Sequence, residues 1–162
     1  MFRDLFGSHR PALHVTELTS EHVPMASAIH AASFARTWGT LELERMIASE
    51  AIFADGVFAG GSNTLLGFAL SRLVVDEAEI LTIAVSPDAR GHGAGRALLT
   101  HHLAHLARRG ARNVFLEVDE GNEPALALYR HAHFTEIGRR PGYYPKADGS
   151  SATAITMRAS LD

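Results

Sequence analysis

The sequence predicts an α/β (α+β) domain in which helices flank a mixed, mostly antiparallel central sheet. Three observations carry this. Residues 56–85 hold β-rich runs separated by hairpin signals. Residues 81–99 pass from an apolar strand through a glycine-rich loop into an amphipathic helix. The alternating run Val114 to Val118 is reached across that helix. Strands joined by tight turns pair antiparallel, whereas a strand reached by a crossover helix pairs parallel, so the two kinds of connection give a mixed sheet.

Taken in order, Leu13 to Leu18 reads as a first strand. Ser20 offers an N-cap for a helix with Met25, Ile29 and Ala32 at i, i+4, i+7, and Pro24 falls near the first turn, where it is tolerated. After Trp38 and Gly39, Thr40 caps a second helix with Leu43, Met46 and Ile47 on one side, ending near Glu50. Strands at Gly56–Ala59, Thr64–Val74 and Ala78–Val85 are parted by Gly60-Gly61-Ser62-Asn63 and Asp76-Glu77, which makes an antiparallel meander. The helix after the glycine loop carries Leu99, Leu103 and Leu106 and closes on Arg108, Arg109 and Gly110, residues suited to a helix C-terminus. Asn122 caps a shorter helix through Ala132 with Pro124 in its first turn. Phe134 to Ile137 and Ala152 to Met157 supply late strands around a turn at Tyr143-Tyr144.

At 162 residues the chain is expected to form one domain over 13–162, preceded by a flexible tail over 1–12. A chain of this length removes about 70% of its unfolded surface from water, enough for a proper core. Its 46% hydrophobic and 20% charged content is ordinary for a globular protein, and no apolar run approaches the about 20 residues that span a bilayer. No secretory apolar stretch opens the chain, so a cytoplasmic location without membrane attachment is expected. The absence of cysteine excludes disulfides, thiolate metal sites and an acyl-cysteine intermediate. A net charge of −3 argues against direct nucleic-acid binding, while Arg90, Arg96, Arg108 and Arg109 cluster around the glycine loop and the helix behind it, so any polyanion site is local.

The stretch LTIAVSPDARGHGAGRALL contains Arg90, Gly93 and Gly95 as R-x-x-G-x-G. Small residues let the backbone approach a bulky ligand, and successive N–H groups at a helix start face outward, a combination suited to a pyrophosphate. His101 and His105 stand at i, i+4 with His102 between them, but no cysteine or evident third ligand joins them. They are expected to occupy a wet helix face, with no metal.

Strand, R-x-x-G-x-G loop, helix, a second strand carrying Glu117, then Asn122-x-x-Ala125-x-x-x-Tyr129 together resemble the acyl-CoA-binding core of the GNAT N-acetyltransferase superfamily, most tightly over Ile80 to Phe134. A narrower similarity, carried by LTIAVSPDARGHGAGRALL, FLEVDEGNEPALALY, GYYPKADG and the closing ATAITM, is to RimI-type N-terminal-alanine acetyltransferases, which modify a ribosomal protein. The chain departs from that pattern at His133, where glycine is usual, at Ser150-Ser151, where an acidic pair is common, and in the spacing around Trp38. Histidine adopts the positive φ of a helix exit less readily than glycine, so local strain or a shifted helix end is expected there.

The resemblance implies acetyl-CoA as acyl donor, with its pyrophosphate on the loop of Arg90, Gly91, His92, Gly93, Ala94, Gly95 and Arg96. Its pantetheine would run along Ile83, Ala84 and Val85, and Asn122, Ala125 and Tyr129 would complete the donor site. It also implies Glu117 as base and Tyr129 as acid. Trp38 and Tyr143 are candidate substrate-binding residues. Acyl transfer needs a neutral amine, and at pH 7 about one in seven α-amines is neutral against about one in 2,500 lysines. A free glutamate, near about 4.3, accepts a proton poorly from either, so Glu117 needs burial or a water relay. The RimI-type resemblance implies as acceptor the N-terminal α-amine of a (ribosomal) protein, which asks less of its base than lysine does, attacked directly in a ternary complex by a monomer or homodimer. The alternatives are N-acetylation of a polyamine, aminoglycoside or similar small amine, and a non-catalytic acyl-CoA sensor.

Overall fold

The computed structural model describes residues 12–34, 37–145 and 148–162. All of the expected N-terminal tail except Ala12 lies outside them. The elements are β1 (Leu13–Glu17), α1 (Val23–Ser33), α2 (Thr40–Ala48), β2 (Ile52–Ala59), β3 (Leu65–Val74), β4 (Glu77–Val85), α3 (Ala94–Arg108), β5 (Asn113–Asp119), α4 (Glu123–His131), β6 (Thr135–Pro145) and β7 (Ser151–Ser160). They build a seven-stranded sheet in the order β1-β2-β3-β4-β5-β7-β6. Every junction is antiparallel except β4 with β5, the pair connected through α3. The mixed sheet expected from the two kinds of connection is therefore present.

Side chains alternate across the strands and so divide the core between two faces. On one face Val23, Ala26, Ile29 and Leu43 of α1 and α2 pack on Phe58, Leu65, Phe68, Leu70 and Ala84. On the other, Leu98 of α3 packs with Val57 and Ala69, and Leu99 and Leu106 of α3 with Val114, Leu116, Leu126, Tyr129 and Met157. No helix among the described residues is long and apolar enough to cross a membrane.

Several local expectations are corrected. Ser20 does not cap α1; it opens a single 3₁₀ turn, and the helix starts at Val23 with Pro24 in its first turn. Its buried stripe is Val23, Ala26, Ile29 and His30, and Ala32 is exposed. Gly39 rather than Thr40 takes the N-cap of α2, which ends at Ala48. Tyr143 and Tyr144 lie within β6, and the reversal moves to Asp148–Ser150, where Asp148 Oδ1 accepts from Ser150 N at 2.9 Å.

The histidine face of α3 is inverted relative to the wet surface expected. His102 and His105 are buried against the sheet, because Asp55 of β2 and Ser71 of β3 offer them partners. Asp55 Oδ2 accepts from His102 Nδ1 at 2.6 Å and from His105 Nδ1 at 3.0 Å. His102 Nε2 lies 2.7 Å from Ser71 Oγ. A buried carboxylate persists only when paired and hydrogen-bonded. Burial pushes the Asp55 carboxyl up, and the hydrogen bonds and charge of His102 and His105 together outweigh it, holding the group below its ordinary value.

Both crossover helices end alike. At α3, Gly110 adopts φ 98° while Gly110 N donates to Ala107 O and Ala111 N to Leu106 O, both at 3.0 Å. At α4, His133 adopts φ 69°, His133 N donates to Arg130 O and Phe134 N to Tyr129 O, again at 3.0 Å. This is the Schellman closure with histidine in the glycine position, so the helix end is not shifted and the positive φ is taken by a residue that disfavours it. The accompanying apolar contact is the Tyr129–Phe134 ring pair, 5.7 Å between centroids.

Candidate active site

Beyond Val85 the chain makes one 3₁₀ turn at Pro87–Ala89 and enters the glycine loop. Arg90 folds back, donating from Nε to Val85 O and from Nη2 to Ser33 Oγ, each at 3.1 Å. Its side chain thus ties the loop to β4 and α1, while its backbone opens the loop. Gly91 and Gly93 adopt φ 79° and 84°, and a Cβ at either would meet nothing within 4 Å, so the loop presents an open backbone surface. Gly93 is the N-cap of α3, whose first-turn N–H groups lack intrahelical partners and favour an anion. Arg96 is exposed beside them. Arg108 and Arg109 belong to the helix behind the loop and stand at its far end, about 20 Å from the glycines at 1.5 Å per residue, and Arg109 lies over the Phe53 ring.

β4 and β5 pair only over Glu77–Glu79 with Asn113–Phe115. Past that point β4 keeps β3 as partner and β5 keeps β7, so the strands part and leave an edge of β4 free from Ile80 to Val85. That free edge contains Ile83, Ala84 and Val85. Glu117 lies on β5 two residues beyond the last pair, opposite Thr156 of β7. Tyr129 belongs to the core on the α3 and α4 side and is 6% exposed. Cross-strand register puts Glu117 on the face of the sheet opposite to that of Tyr129. Asn122 Oδ1 accepts from Ala125 N at 3.3 Å, the expected cap at the start of the helix that carries Tyr129.

The Glu117 side chain is 26% exposed, and Arg140 Nη2 approaches its Oε1 at 3.5 Å. The Arg140 guanidinium also lies over the Tyr143 ring, 4.9 Å from its centroid. Arg140 thus stands between Glu117 and Tyr143. Trp38 is seated against α1: its ring stacks 4.6 Å from that of His30, and its backbone N–H donates to His30 Nδ1 at 3.1 Å. Burial holds the pKa of His30 below its ordinary value, with Glu42 opposing.

A cleft of about 270 Å³ opens on the Glu117 face between Arg72, Val74, Glu77, Glu79, Phe115 and Thr156. Arg72, Glu77 and Glu79 are not among the site residues expected from the sequence. The alternation Glu77-Ala78-Glu79-Ile80 shows that both carboxylates share a face, but only the β4–β5 register shows that Glu117 shares it too. Among the described residues no group of three or more His, Cys, Asp or Glu is placed to hold a metal ion.

Residues 23–134 match the acetyltransferase (GNAT) family. Over 94 residues the chain is 44% identical to the ribosomal protein bS18-alanine N-acetyltransferase of Escherichia coli K12, covering 58% of this chain and 64% of that enzyme, just under two thirds of its length. The crystal structure of the ribosomal-protein-S18-alanine N-acetyltransferase from E. coli is similar with TM-score 0.84 at 32% identity, over 93% of this chain and 95% of that one. Arabidopsis thaliana NAA60 in complex with acetyl-CoA shares the fold with TM-score 0.81 at 18% identity, over 93% of this chain and 99% of that one.

Proposed function

The chain belongs to the acetyltransferase (GNAT) family, and we propose that it transfers the acetyl group of acetyl-CoA to the N-terminal α-amine of a protein by direct attack in a ternary complex. The observation that carries this reading is the parting of β4 from β5, with the open glycine loop at one end and Glu117 and Tyr129 on opposite faces. An extended pantetheine arm finds backbone partners along Ile83, Ala84 and Val85, much as an added strand does. The N–H groups from Arg90 to Arg96 suit its pyrophosphate, and Asn122 and Ala125 set the start of the helix that delivers Tyr129.

In the reaction the amine nitrogen bonds to the thioester carbonyl carbon and the C–S bond breaks. Glu117 takes the proton released by the amine, directly or through one water, and Tyr129 gives its phenolic proton to the departing thiolate. A backbone N–H near Val85 holds the oxyanion. Proton transfer from a phenol near about 10 to a thiolate whose thiol lies near about 8.5 is uphill by about 2 kcal/mol, small beside an acyl-transfer barrier. Identity to an E. coli enzyme named for the bS18 alanine supports an acceptor that begins with alanine, which would place the protein in the cytoplasm with ribosomal proteins. Tyr143 and Trp38 remain our proposed acceptor contacts, Tyr143 through the Arg140 guanidinium it shares with Glu117.

The test is acetylation of a panel of free N-terminal peptides, polyamines and aminoglycosides, read by mass spectrometry with release of the CoA thiol. Glu117→Gln and Tyr129→Phe should each lower kcat about 10²–10⁴-fold; coenzyme A affinity should stay nearly intact, since Tyr129→Phe removes only the hydroxyl and keeps the ring that helps form the donor site. Weakened coenzyme A binding at unchanged kcat would contradict both roles.

A further inference from the structure

We infer that Thr82 is an acceptor-binding residue of the same site, its hydroxyl accepting a hydrogen bond from the incoming α-amine; this rests on the acetyl-transfer reading above. The first support is register. Along β3 and β4, Arg72 faces Glu79 and Ser71 faces Ile80, but the next pair is Leu70 with Thr82, so Leu81 is an extra residue on β4. Such a bulge reverses the alternation beyond it. Without it Thr82 would share the face of Ala78 and Ile80 toward α3. With it, Thr82 shares the face of Leu70, which packs in the α1 and α2 core. Glu79 is on that face, Phe115 pairs with Glu79, and Glu117 follows Phe115 by two. The bulge therefore places one hydroxyl on the same face as Glu117, on the opposite bank of the opening.

The second support is that this hydroxyl has no partner. Thr82 is 6% exposed, and its Oγ1 is buried without a hydrogen bond among the described residues. The buried Asp55, Ser71, His102 and His105 all have partners. An unpaired buried hydroxyl is destabilising, and valine would fill nearly the same volume without it. A partner that arrives with substrate accounts for the oxygen. A neutral primary amine has two N–H bonds: one points to Glu117, which receives the proton, and the other is left for Thr82 while the lone pair faces the carbonyl carbon. The acyl donor, lying along the β4 edge, meets the strand through backbone groups, so the hydroxyl on the Glu117 face serves the acceptor.

The experiment compares wild type, Thr82→Val and Thr82→Ser with an alanine-initiated peptide and acetyl-CoA, measuring kcat, peptide KM, coenzyme A affinity by calorimetry, and Tm. Thr82→Val should lose about tenfold in kcat/KM for the peptide, the loss expected from one hydrogen bond to substrate, with coenzyme A affinity unchanged and Tm equal or higher. Thr82→Ser should recover most of that loss, and Thr82→Ala supplies the same comparison if valine disturbs folding. A valine variant as active as wild type, a loss traced wholly to weaker coenzyme A binding, or a loss that serine does not recover overturns the role of Thr82 alone. Failure of wild type to acetylate any peptide overturns the acetyl-transfer reading, and this inference with it.

Discussion

Asp55 is a carboxylate without solvent, held by two imidazoles from successive turns of α3 and backed by Ser71 on the next strand. Removing one partner of such a group leaves the others desolvated, so Asp55→Ala should lower stability by about 3–5 kcal/mol, read as a fall in the urea midpoint at neutral pH. The pH dependence follows from the depressed pKa of this carboxyl. Its stabilisation is complete above the unfolded value of about 3.9 and fades as pH falls through the lower folded value. The difference between wild type and Asp55→Ala should hold from pH 7 to about 5 and shrink below about 4. A difference that grows on acidification would contradict the arrangement. Sequence could not show this network, since histidines at i, i+3 on a helix look alike whether they meet water or a carboxylate from a strand 47 residues away.

His133 shows at the scale of one element what a single unfavourable residue does. The closure of α4 is complete in its hydrogen bonds and in its Tyr129–Phe134 contact, yet a left-handed residue with a Cβ costs about 1–2 kcal/mol, partly offset by the chain entropy glycine would lose. His133→Gly should therefore gain about 1 kcal/mol, a rise of about 2–4 °C in Tm, checked by calorimetry; a fall would mean that the imidazole makes a contact worth more than the strain. This site was legible in the sequence because helix-exit chemistry is local, as were the Asn122 cap of α4 and the Gly110 end of α3. The course of β6 was not. Glycine, proline and paired tyrosines suggest a turn, but β6 gains seven cross-strand partners on β7, and tertiary pairing overrides local preference. The parity of β4 was also hidden, because an inserted residue leaves no mark on a run as apolar as Ile80 to Val85.

Across the whole molecule, alternating connections revealed the mixed sheet, and the glycine loop marked the end of β4 nearest the site. What they left open was how far β4 and β5 stay together, which depends on twist and on partners distant in sequence. The free edge of β4 has a measurable signature. Alternate amides between Ile80 and Val85 should exchange with solvent faster than those bonded to β3, and saturating coenzyme A should slow them; unchanged exchange would argue against a strand-like donor arm. The parallel seam also has a mechanical consequence. Two leaves, β1 to β4 and β5 to β7, meet in the sheet through only three residue pairs, with α3 laid across one side. On the proposed reading a donor lying in the gap between β4 and β5 touches both leaves and acts as a clasp, adding about 2.7 kcal/mol at a hundred times its dissociation constant. Resistance to proteolysis, and so the lifetime of the polypeptide in a cell, would then rise and fall with the supply of coenzyme A and its acyl esters.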